Sequence, residues 1–112
     1  MIFKESDIMY VYRITNKINN KKYIGITNNY KRRFKEHILK KTSSAIHKAI
    51  IKYGEENFIF EIIYTGLSVE ESCEKEIELI QKENTLVPYG YNIAKGGITP
   101  PTGENNGRAI LT

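Results

Sequence analysis

The stretch Tyr12–Gly25, YRITNKINNKKYIG, sets a polar turn between two tyrosines, the second followed at once by Ile24-Gly25. Met9 to Thr15 (MYVYRIT) alternates and is rich in β-formers, so it reads as a strand. Asn19-Asn20 is a turn signal, and Lys22 to Thr27 (KYIGIT) reads as the returning strand. In an antiparallel pair, opposing residues keep a constant index sum. An even-length loop makes that sum odd and puts Tyr12 and Tyr23 on one face. With a four-residue loop, Tyr12 lies opposite Gly25 and Tyr23 sits on the diagonal, about 7–8 Å away at the backbone. An odd-length loop would part the two phenols. Glycine within a strand often marks the close approach of a ligand or another backbone, so Gly25 is expected to leave room beside both rings. Two readings stand: aromatic staples, or two phenols aimed into one site.

The rest of the chain extends this hairpin. Asn28 or Asn29 can cap a helix over residues 30–40, with Tyr30, Phe34 and Ile38 as its apolar stripe. Ser43 or Ser44 caps a second helix, whose positions Ala45, Ile46, Ala49, Ile50 and Tyr53 follow helical spacing. Gly54 stops it, as a left-handed C′ residue. Asn57 to Tyr64 (NFIFEIIY) is the most strand-like run and is expected to be the central strand, ended by Gly66. Ser68 with Glu71 forms a capping box for a third helix reaching Glu83. A turn at Pro88-Tyr89-Gly90 leads into YNIAKGG, and residues 98–112, rich in Pro, Gly and Asn, read as a flexible tail or linker. The order is β-β-α-α-β-α, an α/β layout of the α+β type. It predicts a small antiparallel three-stranded sheet flanked by helices, with residues 1–97 as one domain.

Composition bounds the function. The chain has 112 residues, 40% hydrophobic and 27% charged, which suits one globular domain and excludes a disordered chain. A net charge of +4 permits a polyanionic partner without requiring one. One cysteine, Cys73, excludes a disulfide framework or a Cys-rich zinc site and suits a reducing cytosol. No apolar run approaches the ~20 residues a membrane span needs, and the charged start MIFKESDIMY is no signal peptide. A soluble, cytoplasmic protein is the expectation.

One carboxylate is out of place. At about 100° per residue from Val69, the side chains of Cys73, Ile77, Leu79 and Ile80 form one apolar arc, and Glu76 falls inside it at about 340°. Burying a carboxylate costs several kcal/mol unless it is paired, metal-bound or protonated. Glu76 is therefore either a structural partner for an arginine or a ligand for a divalent metal. Arg33, one turn beyond Tyr30 and beside the apolar stripe, is a candidate cation. Lys31, Arg32, Lys35, Lys40 and Lys41 form a solvated basic face, to which Arg33 could equally belong.

Taken together, MYVYRITN, Tyr23-Ile24-Gly25, RRFKEH, KYGEENF, a helical Glu and GYNIA resemble the GIY-YIG nuclease domain. The resemblance runs from Met9 to Gly97 and is nearest in appearance to phage and mobile-element homing endonucleases. It implies a metal-dependent DNA endonuclease that hydrolyses phosphodiester bonds. Tyr12, Tyr23, Arg33, Glu76 and Asn92 would form the catalytic set, with Glu76 holding Mg²⁺ or Mn²⁺. Asn92 could also be a plain turn residue. Gly25 would leave space for the phosphate, and Lys31, Arg32, Lys35, Lys40 and Lys41 would contact the DNA backbone. A monomer is expected. The motif departs from the family at its start, where Tyr10-Val11-Tyr12 keeps only the last residue of Gly-Ile-Tyr; this is expected to alter packing more than chemistry. His47 does not align with the histidine some members carry and reads as a helix-surface residue. The tail GENNGRAILT resembles the lead-in to a DNA-recruiting helix, which implies a catalytic domain cut from a longer protein. The rival readings are a non-catalytic nucleic-acid-binding module of the same fold, or a repair or restriction nuclease.

Overall fold

A computed structural model describes residues 8–39, 44–94 and 96. The elements are β1 (Met9–Asn16), β2 (Lys22–Thr27), α1 (Tyr30–Leu39), α2 (Ala45–Tyr53), β3 (Phe58–Leu67) and α3 (Val69–Glu83). The order and the antiparallel three-stranded sheet are those expected from the sequence. The strand order is β2-β1-β3, so β1 is central and β3 is an edge. This corrects the assignment of the NFIFEIIY run to the centre. A continuous apolar run means that both faces of a strand are covered, not that both of its edges are paired. The strand also continues through Gly66, which takes a positive φ of 74°, and ends at Leu67.

The hairpin register is the one a four-residue loop dictates: Tyr12 pairs with Gly25 and Ile14 with Tyr23. Asn20 supplies the left-handed residue of the turn (φ 64°), and the Asn16 and Asn19 side chains accept the Ile18 and Lys21 amides.

Helices cover both faces of the sheet. Tyr12 and Ile14 point to the α1/α2 side, where they join Ile46, Ala49, Ile50, Phe58 and the flanking Tyr23, Phe34 and Phe60. Val11 and Ile24 point to the other side and pack on Leu79 and Ile80 of α3. Between Tyr12↔Ile62 and Val11↔Tyr64 the β1–β3 register slips by one residue. That bulge brings Ile63 and Tyr64 together onto the α3 side.

Local chemistry explains the helix ends. Ser44 caps α2 by accepting the His47 amide, and Ser68 and Glu71 make the expected reciprocal capping box on α3. Gly54 has φ 89° but ψ 138°, so it stops α2 with a positive φ outside the left-handed helical basin. The buried face of α3 is rotated from the expected arc. Val69 and Ile77 are exposed, whereas Ser72, Leu79 and Ile80 are buried. Glu76 thereby lies nearer the middle of the sheet-facing surface.

Candidate active site

β2 is an edge strand, and the chain after α3 folds back to cover it. The Tyr91 amide donates to the Lys22 carbonyl at 2.9 Å. The Asn92 side chain then behaves like a neighbouring strand: its Oδ1 accepts the Ile24 amide and its Nδ2 donates to the Ile24 carbonyl, both at 2.8 Å. Thr85 Oγ1 donates to the same Oδ1 at 2.7 Å. The Tyr91 hydroxyl accepts from Asn16 and Asn19 in the hairpin turn. Gly90 allows this return loop to close, because a Cβ there would overlap the Thr85 backbone. Both polar atoms of the Asn92 amide are thus engaged in holding the edge of β2, and the residue also lines the cleft beside it.

Beside this clamp lies a cleft of about 230 Å³ lined by Tyr23, Ser44, Ala45, Glu76, Asn92 and Ile93, among others. It sits where the two helical layers meet around the β2 edge. Tyr23 arrives from the α1/α2 side and Glu76 from the α3 side. Glu76 is partly buried, as its place in the α3 wheel implies.

Behind Tyr23 is a closed aromatic cluster. Tyr12 is fully buried, and its ring lies 6.1 Å from that of Tyr23 and 5.3 Å from that of Phe34. Its hydroxyl shares a 2.8 Å hydrogen bond with His37 Nε2. Gly25 is what makes this possible. A Cβ at Gly25 would overlap the Tyr12 ring and hydroxyl, so the space it leaves is filled by Tyr12. In the Cβ direction the close approach to Gly25 is therefore by a side chain of the same hairpin.

The electrostatics follow from burial. Burial first, and then the Tyr23 phenol, push the Tyr12 hydroxyl well above the usual tyrosine range, against a downward pull from Arg33. Burial first, then the Arg33 charge, lower His37 to about 4, so its ring is neutral at pH 7. Burial opposes the charge on Arg33, but the Tyr12 phenol and Glu36 outweigh it and keep the guanidinium protonated. Arg33 donates to Glu36 Oε1 at 2.9 Å. Arg33 lies beside Tyr12, whereas Arg32 is exposed with the rest of the basic face.

Two histidines change the sequence reading. His37, given no role of its own in the sequence beyond its place in RRFKEH, is buried against Tyr12 and Tyr23. The signal was present, since His37 lies one turn beyond Phe34 on the sheet-facing side of α1. His47, expected at the surface, is 5% exposed. Its Nδ1 lies 2.6 Å from the His37 carbonyl, and as a carbonyl only accepts, that nitrogen carries the proton. Tyr10, in the place of the family's glycine, packs edge-on against Tyr30 at the start of α1 (5.1 Å).

Lys31, Arg32 and Lys35 are exposed on α1; Lys40 and Lys41 lie outside the described residues, as does the 98–112 tail. Among the described residues, no group of three or more His, Cys, Asp or Glu side chains could hold a metal. A single partly buried carboxylate does fit a magnesium-type ion, which is commonly held by one or two carboxylates with water and substrate phosphate completing the shell. No helix among the described residues is long and apolar enough to cross a membrane.

Comparison with known proteins places this geometry. The model of the GIY-YIG catalytic domain matches residues 8–92. The segB protein of Enterobacteria phage T4, which carries an endonuclease name, is 37% identical over 90 residues, covering 79% of this chain and 38% of its own length. An intron-encoded endonuclease of Neurospora crassa is 41% identical over 78 residues, covering 69% of this chain and 25% of its own length. Among solved structures, a mutant of the catalytic domain of intron endonuclease I-TevI superposes with a TM-score of 0.69 at 26% identity, over 80% of this chain and 96% of that one. The chain therefore spans about two-fifths or less of the length of these two relatives, but nearly the whole of the solved catalytic domain.

Proposed function

The chain belongs to the GIY-YIG endonuclease domain family, and from that premise we propose that it hydrolyses DNA phosphodiester bonds at the β2-edge cleft with one divalent metal ion. The observation that carries the reading is that Tyr23 and Glu76 line one cleft although they come from opposite faces of the sheet. Glu76 would hold Mg²⁺ or Mn²⁺, which when bound offsets negative charge on the scissile phosphate and the leaving oxygen. Arg33 is a second, permanently charged group, with a planar fork suited to two phosphate oxygens. Its present bond to Glu36 is half-exposed and exchangeable.

Tyr23 is the phenol that reaches the cleft, so it contacts the attacking water or the phosphate. Tyr12 supports it from behind and keeps Arg33 close. A second reading rests on the Tyr12–His37 bond: the neutral imidazole at 2.8 Å would hold the Tyr12 hydroxyl in place while the positive charge of Arg33 and of a bound metal ion draws that phenol toward ionisation. Replacing His37 by Gln separates the two. Loss of the alkaline limb of the cleavage profile in that variant favours Tyr12 as base, and an unchanged profile favours Tyr23.

The exposed residues Lys31, Arg32 and Lys35 would contact the DNA backbone, which gives salt-dependent affinity of low sequence preference. The whole protein's target, its partners and a homing role are part of the proposal, as is a monomeric state. The test is nicking of a supercoiled plasmid with Mg²⁺, with EDTA, and by Glu76→Ala. Cleavage abolished in both of the latter, with the variant still folded by circular dichroism, supports the reading. Absence of cleavage by the wild type with DNA binding retained favours the non-catalytic module. Equal cleavage by both proteins removes Glu76 from the mechanism.

A further inference from the structure

On the α3 face of the sheet, Arg13 bridges three elements. Its Nη1 donates to Glu83 Oε2 of α3 at 2.7 Å, and its Nε and Nη2 both lie 2.9 Å from Glu61 Oε1 of β3. The side chains of Arg13 and Glu83 are only 24% and 18% exposed. Glu83 Oε1 is buried and has no hydrogen-bond partner among the described residues, so Arg13 is the compensation that this carboxylate has there. Arg13 also follows Tyr12 directly and pairs across the hairpin with Ile24, the residue whose amide and carbonyl Asn92 holds.

The location matters for Glu76. Residues 76 and 83 are seven apart, two turns of one helix, so their side chains leave α3 on nearly the same face, about 10 Å apart along the axis. The rest of the α3 contact with the sheet is mainly aliphatic, Leu79 and Ile80 against Val11 and Ile24, with Lys75 over the Tyr64 ring. Such packing resists separation but specifies axial sliding and rotation poorly. A forked, charge-assisted pair specifies both.

We propose that Arg13 and Glu83 are a positioning pair that sets the rotation and axial register of α3 on the sheet, and through them the place of the Glu76 carboxylate in the cleft. The inference rests on the reading of Glu76 as the metal-holding group. Arg13 is not among the residues that line the cleft, so it acts through α3.

The decisive variant is the paired replacement Arg13→Met with Glu83→Met, which removes the ion pair without leaving a buried charge behind. Glu83→Gln, which keeps the shape and loses the charge, serves if the pair fails to fold. Glu61→Gln is the control, because it leaves Arg13–Glu83 in place. Mn²⁺ binding is followed by electron paramagnetic resonance on the free protein, alongside the Mg²⁺ dependence of plasmid nicking. The expected result is a ~10-fold rise in the metal needed for half-saturation in the paired variant and in Glu83→Gln, the scale seen when groups supporting a metal ligand are lost. DNA affinity without metal and cooperative melting should be retained, Arg13→Lys should be intermediate, and Glu61→Gln should resemble the wild type. A folded paired variant with wild-type Mn²⁺ affinity overturns the proposal. Equal Mn²⁺ binding by wild type and Glu76→Ala overturns the underlying reading of Glu76 and the positioning pair with it.

Discussion

The two faces of the sheet are stabilised by different chemistry. The α1/α2 face is rich in aromatic rings and buries neutral polar ones, Tyr12 on His37, packed with Tyr23, Phe34 and Phe60, with the half-exposed Arg33–Glu36 pair at its margin. The α3 face is mainly aliphatic and carries a cluster of full charges, Arg13 with Glu61 and Glu83. The first arrangement stores hydroxyl and imidazole groups whose protonation depends on burial. The second joins a helix to the sheet by charge. Neither face alone holds both a cleft-facing phenol and a carboxylate. They meet at the β2 edge, where Asn92 replaces a missing strand, and the candidate site forms there.

That comparison can be broken most directly at the shared edge. Asn92→Ala removes three hydrogen bonds and leaves the Ile24 amide and carbonyl and the Thr85 hydroxyl without that partner. The expected loss is about 4 kcal/mol of stability, read from denaturant unfolding. A loss under about 1 kcal/mol would mean that water replaces the clamp.

His37 sharpens the contrast through pH. The unfolded chain takes up a proton near pH 6.5, whereas in the fold His37 is lowered to about 4. Between those values the unfolded state binds more protons, so this contribution is fully present above pH 6.5 and is lost as pH falls toward 4. The difference between wild type and His37→Gln should therefore change by on the order of 3 kcal/mol across that window. Arg33, Glu36 and His47 set the local field and remain in both proteins. Parallel pH–stability curves for the two proteins would contradict the buried neutral imidazole.

Gly25 tests the aromatic face alone. Gly25→Ala drives a Cβ into the Tyr12 ring, with an expected cost of about 1–3 kcal/mol and a lowered melting temperature. The smallest effect is on binding. Lys31→Ala should lower the log–log salt slope of DNA affinity by about one, uniformly across sequences.

The sequence made the hairpin legible because register is arithmetic once the turn is known. It made the helix caps legible because Ser44, Ser68 and Glu71 act locally. It misjudged what depends on which element lies beside which. The apolar run of β3 is the same whether that strand is central or an edge with both faces covered. Gly25 announced a close approach, but only the packed structure reveals that Tyr12 is what approaches. The motif marked Asn92 but not its partner: its amide holds the Ile24 backbone, a contact 68 residues away in sequence. His37 and Arg13 were passed over for a shared reason. Each is a polar residue at the helix–sheet interface, and its partner arrives from a distant part of the chain.

The measurement that tests the central claim most directly is a double-mutant cycle on single-turnover DNA cleavage, using wild type, Tyr23→Phe, Glu76→Ala and the combination. If Tyr23 and Glu76 serve one site from the two faces, each single change should slow cleavage strongly, and the combination should be little slower than Glu76→Ala alone. Rate losses that multiply independently, or a Tyr23→Phe protein as fast as wild type, would mean that the cleft does not join the two residues in one reaction.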